Sequence, residues 1–167
     1  YKSNEVVIGR PDISTVLMYR KGPNWRGDDE TDIVLVREFR SPASTADGFI
    51  RELPGGSSSK PGLDPLEVAS EEVREETGLV IAPGRISAHG SRQLMGTFSS
   101  HKAHLFSVEL TDDEIEGLRK EQGKPHGDSG EGETGERTYV EVRTLTEIMN
   151  GHLVDWSTLG MIFQVLS

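Results

Sequence analysis

The chain has 167 residues, a length that suits one α/β or α+β domain able to bury a real core. Its 28 acidic side chains against 18 lysines and arginines give a formal net charge of −10, which argues against a nucleic-acid backbone as partner; the lack of any cysteine excludes disulfides, thiolate metal sites and cysteine nucleophiles. No apolar run reaches the roughly 18 residues of a membrane span and no signal-peptide pattern opens the chain, so a soluble, cytoplasmic protein is expected.

In chain order, Ile13–Tyr19 and Asp32–Phe39 read as two strands joined by the polar loop Arg20–Thr31, a hairpin with a long connection. A third strand is expected at Phe49–Leu53. The best helix follows at Asp64–Thr77: Asp64 can cap it, Pro65 suits its first turn, Leu66, Ala69 and Val73 share a face, and Gly78 can end it. Strands at Ile86–Leu94 and Ala103–Glu109, a helix at Asp112–Gln122, a strand at Thr138–Val142 and a helix at Trp156–Leu166 complete the pattern. Between the helix at Asp112–Gln122 and the strand at Thr138–Val142, Gln122–Gly135 is polar with five glycines and is expected to be a mobile loop. With no repeat and no linker, residues 1–167 form a single domain.

The chemistry concentrates at Leu53-Pro54-Gly55-Gly56, the loop to Leu63 and the helix end Glu71-Glu72-Val73-Arg74-Glu75-Glu76-Thr77-Gly78. Glu72, Glu75 and Glu76 stand at i, i+3 and i+4, so their carboxylates share one patch. They lie in the last turns, where the helix dipole disfavours negative charge and like charges one turn apart repel. A hard divalent cation, magnesium or manganese, would relieve both. By spacing alone, a solvated acidic helix face is an equal reading.

The Gly-Gly turn, loop, capped helix and Glu-Val-Arg-Glu-Glu-Thr-Gly-Leu resemble the Nudix box, with Glu72, Val73, Glu75, Glu76, Gly78 and Leu79 on the pattern. The chain departs from it at Leu63, where the family has a loop glutamate, at Glu71, where it has an arginine, and in a loop one residue longer. Val36-Arg37-Glu38-Phe39-Arg40-Ser41-Pro42, Arg51-Glu52-Leu53-Pro54-Gly55-Gly56, and the C-terminal stretch from Gly135 through Thr158 are similar to the ADP-ribose pyrophosphatase subgroup, the last to its final strand and helices. The resemblance implies an α/β/α sandwich of the α+β class, a mixed β-sheet flanked by helices and carrying a catalytic loop-helix-loop. It implies hydrolysis of the diphosphate in ADP-ribose or a related nucleoside-diphosphate sugar, magnesium (or manganese) as cofactor, and a homodimer with a small-molecule substrate. The metal ligands would be Glu72, Glu75, Glu76 and the Gly56 carbonyl. A general base is expected in the Gly-rich loop, where Glu131, Glu133 and Glu136 are candidates and the alignment favours Glu136. Arg40, Arg51 and, more weakly, Arg92 are candidate phosphate contacts. Glu52 would meet a metal-linked water or a ribose. Met95–Ser100 is similar to the family's closing loop without its Ser-Pro-Gly, and His101 and His104 read as structural or solvent-facing. Two other functions fit the same sequence: a nucleotide-binding sensor without turnover, and an acidic interaction domain for a basic partner.

Overall fold

The computed structural model describes residues 4, 6–22, 30–57, 62–127 and 137–167. Along the chain these form β1 (Ile13–Arg20), β2 (Asp32–Phe39), β3 (Phe49–Glu52), β4 (Gly55–Gly56), α1 (Pro65–Thr77), β5 (Ser87–Gln93), β6 (Lys102–Glu109), α2 (Asp112–Glu121), β7 (Pro125–His126), β8 (Thr138–Thr144), α3 (Leu145–Gly151) and α4 (Trp156–Leu166), with a 3-10 turn at Pro83–Arg85. The result is a mixed α+β protein with an open sheet in the order β5-β6-β1-β2-β8-β7. In addition β3 pairs with β2 and β4 with β1. β1 runs parallel to β6, and the remaining pairings between these strands are antiparallel.

The two long first strands are not a simple hairpin. They pair only at Tyr19↔Ile33 and Arg20↔Asp32 and then diverge. Phe49–Gly56 fills the fork between them: β3 lies along the far end of β2, and β4 along the start of β1. Pro54 cannot donate to a ladder, but its carbonyl accepts from the Val16 N–H at 2.9 Å and from the Thr15 hydroxyl at 3.2 Å. The Gly-Gly turn is thereby held inside the sheet rather than at its rim.

Both faces are covered. Val16, Met18, Val34, Val140 and Val142 point to one side, where Ala69 and Val73 of α1 and Ile115 and Leu118 of α2 close the core. Leu17, Ile33, Leu35 and Leu105 point to the other, against Ile148 of α3 and Ile162 of α4. This is the period-two alternation of strands buried on both faces. The caps act as expected on α1: the Asp64 carboxylate accepts from the Leu66 N–H at 2.9 Å, and Gly78 closes the helix at φ 73. Asp32, 2% exposed, is fixed by two guanidiniums, Arg20 at 2.9 Å and Arg119 at 2.6 Å, tying β1, β2 and α2 together.

Two expectations need correction. The segment after α2 is not all loop, since Pro125–His126 pairs with Tyr139 and Thr138 of β8; residues 128–135 lie outside the described residues. The strand read as ending at Val142 runs to Thr144, whose hydroxyl then starts the unforeseen helix α3 through a capping box with Glu147. The strand expected at Ile86–Leu94 spans Ser87–Gln93 and is exposed along its whole length. Among the described residues no helix is long and apolar enough to cross a membrane.

Candidate functional site

The last two turns of α1 pass over the Gly-Gly turn, which sets the geometry of the acidic residues. Glu76 is 9% exposed, and its Oε2 accepts from the Gly55 N–H at 2.8 Å. The Glu72 carboxylate lies against the Gly56 Cα: a side chain added there would meet its oxygens at 2.5 and 2.8 Å. Gly55 is stricter, because a Cβ would stand 2.3 Å from the Ser14 carbonyl oxygen and 2.7 Å from the Thr15 Cα, both backbone. The two glycines thus serve different ends. Gly55 lets the chain pass β1, whereas Gly56 makes room for a carboxylate.

Two more carboxylates face the same place. Glu38 shares the inward face of β2 with Val34 and Val36, and Glu52 stands opposite Val36 on β3. Arg40 bridges them, its Nη2 lying 2.8 Å from Glu38 and 3.9 Å from Glu52. Burial is the main force pushing the Glu76 carboxyl up to about 8; the Gly55 N–H works against it, and the charges of Glu72, Glu38 and Glu52 add to the rise. The Glu52 carboxyl is likewise raised by burial, with Arg40 opposing and Asp155 reinforcing.

The structure therefore brings Glu52, Glu72, Glu76, Arg40 and Gly56 to one patch, and adds Glu38, which sequence reasoning missed. Its signal was the strand period: Glu38 falls two residues beyond Val36 on a buried face. Glu75 is not part of the patch as it stands, because its carboxylate pairs with Arg74 at 2.9 Å and both side chains are exposed. Arg51 also departs from expectation. Adjacent strand residues point to opposite faces, so with Glu52 turned toward α1, Arg51 turns away and binds Glu141 at 2.8 Å. There burial works against the Glu141 carboxylate, but Arg51 and Arg143 outweigh it and hold its pKa below the ordinary range. Arg92 sits on β5 beside α4. Glu131, Glu133 and Glu136 lie outside the described residues. His101 is buried and its Nδ1 shares a hydrogen bond of 2.6 Å with the Ser99 hydroxyl, a structural role; His104 faces Asp12 at 3.6 Å. Among the described residues no group of three or more acidic or histidine side chains is arranged to hold a metal ion.

The donor set is all oxygen, which suits a hard cation rather than a soft one. Glu72, Glu76 and the backbone of Gly56 already converge, with Glu38 and Glu52 facing them, and Glu75 could join only if it left Arg74. Comparison with models of known protein families finds no match, and comparison with curated proteins finds none either. Among solved structures, that of a T. brucei MERS1–RNA complex is similar with a TM-score of 0.47 and 18% identity, over 62% of this chain and 35% of that one. The match thus spans about a third of that protein's length.

Proposed function

We propose that the chain is a Nudix-type pyrophosphohydrolase, built as the α/β/α sandwich of that family. It would cut the diphosphate of ADP-ribose or a related nucleoside-diphosphate sugar into a nucleoside monophosphate and a phosphorylated moiety. The observation that carries this reading is the burial of Glu76 against Gly55 with the Glu72 carboxylate beside it at Gly56. A fold selected for stability alone gains nothing from packing like charges at a helix C-terminus. Magnesium or manganese would be held by Glu72, Glu76, a reoriented Glu75 and the Gly56 carbonyl, and would supply charge neutralisation to the diphosphate and activation of water.

The protein's own side chains would do the rest. Arg40, already at the patch through Glu38 and Glu52, is placed to take a phosphate oxygen in a charge-assisted hydrogen bond. Glu52, half-buried with a raised pKa, can accept from a substrate hydroxyl or a water. Glu136, with Glu133 as the alternative, would take the proton of the attacking water. A homodimer and a cytoplasmic setting belong to the same reading.

The test is release of nucleoside monophosphate from a panel of nucleoside-diphosphate sugars with magnesium. Glu72→Gln and Glu76→Gln are each expected to lower turnover by about 10²-fold or more while the far-ultraviolet circular dichroism is unchanged. No turnover of any substrate, or full activity in both variants, would overturn the assignment. The pairing of Glu75 with Arg74 favours a second reading, a nucleotide-binding module without turnover. It would show ligand-induced thermal stabilisation and no product.

A further inference from the structure

On the face of the sheet opposite α1, a cavity of about 260 Å³ opens between the β5–β6 edge and α4. The strands contribute Arg92, Ala103 and Leu105, and the helix contributes Trp156, Gly160 and Met161. Its origin is legible in the residues. β5 reads Ser-Ala-His-Gly-Ser-Arg-Gln and has no large apolar side chain to fill the space under the helix. Gly160, one turn after Trp156, leaves open space where a Cβ would be.

Trp156 is 87% exposed. A single exposed apolar side chain means little by itself, but this one borders a cavity where, among the described residues, the only permanently charged lining residue is an arginine. Arg92 has no ion pair or side-chain hydrogen bond among the described residues, and no acidic residue lines the cavity although the chain carries 28. Ser157 and Gln164 also line it, with side-chain groups that have no hydrogen-bond partner among the described residues.

We propose that this cavity binds a planar heteroaromatic ring carrying an anionic group, on the scale of a nucleoside monophosphate, with the ring against Trp156 and the anion on Arg92. The indole offers a flat face that every nucleobase can stack on, and a guanidinium is the side chain best matched to a phosphate. Volume limits the ligand. Sites for drug-sized molecules run to about 300–1,000 Å³, so this one takes a single ring system and not a dinucleotide. It lies across the sheet from Glu72 and Glu76, and it stands whether or not those residues hold a metal.

Adenosine monophosphate in the presence of chelator is the probe, with Trp156 as the reporter in a Trp25→Phe background. Saturable fluorescence quenching is expected, with a midpoint below about 1 mM. Titration calorimetry is expected to show binding abolished in Gly160→Leu, which fills the cavity while favouring the helix. It should be about tenfold weaker in Trp156→Ala. In Arg92→Ala, binding should be about tenfold weaker for the nucleotide and unchanged for adenosine. Glu76→Gln should bind as the parent does. Absence of saturable quenching, or binding indifferent to Gly160→Leu, would overturn the proposal. So would loss of binding in Glu76→Gln, since the nucleotide would then sit on the acidic patch.

Discussion

Replacing Glu76 with glutamine should make the metal-free protein more stable, and by an amount that grows with pH. The substitution keeps an oxygen for the Gly55 N–H at nearly the same position and removes only the ionisation. In the unfolded chain the carboxyl titrates near 4.5; in the fold it is pushed up to about 8, by burial first and by neighbouring carboxylates second. Between those values the folded protein holds a proton that the unfolded chain has released. Stability therefore falls as pH rises through that window, and the penalty is complete only above the folded value. At about 1.4 kcal/mol for each pH unit, the full span corresponds to an upper bound on the order of 5 kcal/mol. Local relaxation and water penetration reduce such penalties, so about 2–3 kcal/mol is expected near pH 8. For a chain of this length that is a rise in Tm of roughly 4–12 °C. Denaturant unfolding of parent and variant in chelator, at about pH 5, 7 and 8.5, reads the effect directly. The two curves should nearly coincide at the lowest pH and separate above it. A constant difference across that range, or a variant less stable at the highest pH, would refute the account of Glu76 as a buried and repelled carboxyl.

Gly56→Ala should leave stability within about 1 kcal/mol, because the clash is with the movable end of Glu72, yet on the proposed mechanism it should abolish magnesium-dependent turnover; unfolding and product-release assays on one preparation decide it. Asp32→Asn removes the buried charge that Arg20 and Arg119 share, leaving them Asp112 and Glu116, and should cost about 1.5–3 kcal/mol in denaturant unfolding at neutral pH. Glu71→Arg, one helical turn from both Glu67 and Glu75, should stabilise the metal-free protein by roughly 0.3–0.5 kcal/mol at low salt, the gain limited because Arg74 already neutralises Glu75; a lower Tm than the parent in chelator would contradict this.

Local signals in the sequence were sufficient for most elements. Asp64, Pro65 and Gly78 delimit α1 because each acts within one turn of its own position, and Trp156–Leu166 is found at the bounds its apolar spacing suggests. Helix α3 was equally local, signalled by Thr144 and Glu147, but it follows β8 without a break and the strand pattern masked it. The fork between β1 and β2 was out of reach, since no spacing within Ile13–Phe39 says that Phe49–Gly56 will enter it. At the site, the glutamates of α1 were legible by helical periodicity. The error over Arg51 came from treating it and Glu52 as one unit when strand alternation separates them. Glu75 shares the helical spacing of Glu72 and Glu76, but Arg74, its neighbour in sequence, holds its carboxylate away from them.

The placement of β1 has a consequence for how the chain reaches its native state. Its long parallel partner is β6, with Ile13 opposite Ala103, while β2 finds its long partner in β8, with Val36 opposite Val140. These two strands therefore complete their ladders only with segments made far later. Loop closure must precede the stabilising contacts, a topology associated with folding in milliseconds to seconds rather than microseconds. During synthesis at about 5–20 residues per second, Val16–Met18 and Ile33–Val36 stay without their final cover for several seconds. The acidic excess that weighs on the finished site would serve the nascent chain in that interval, because like-charged chains resist association while their apolar strands are open.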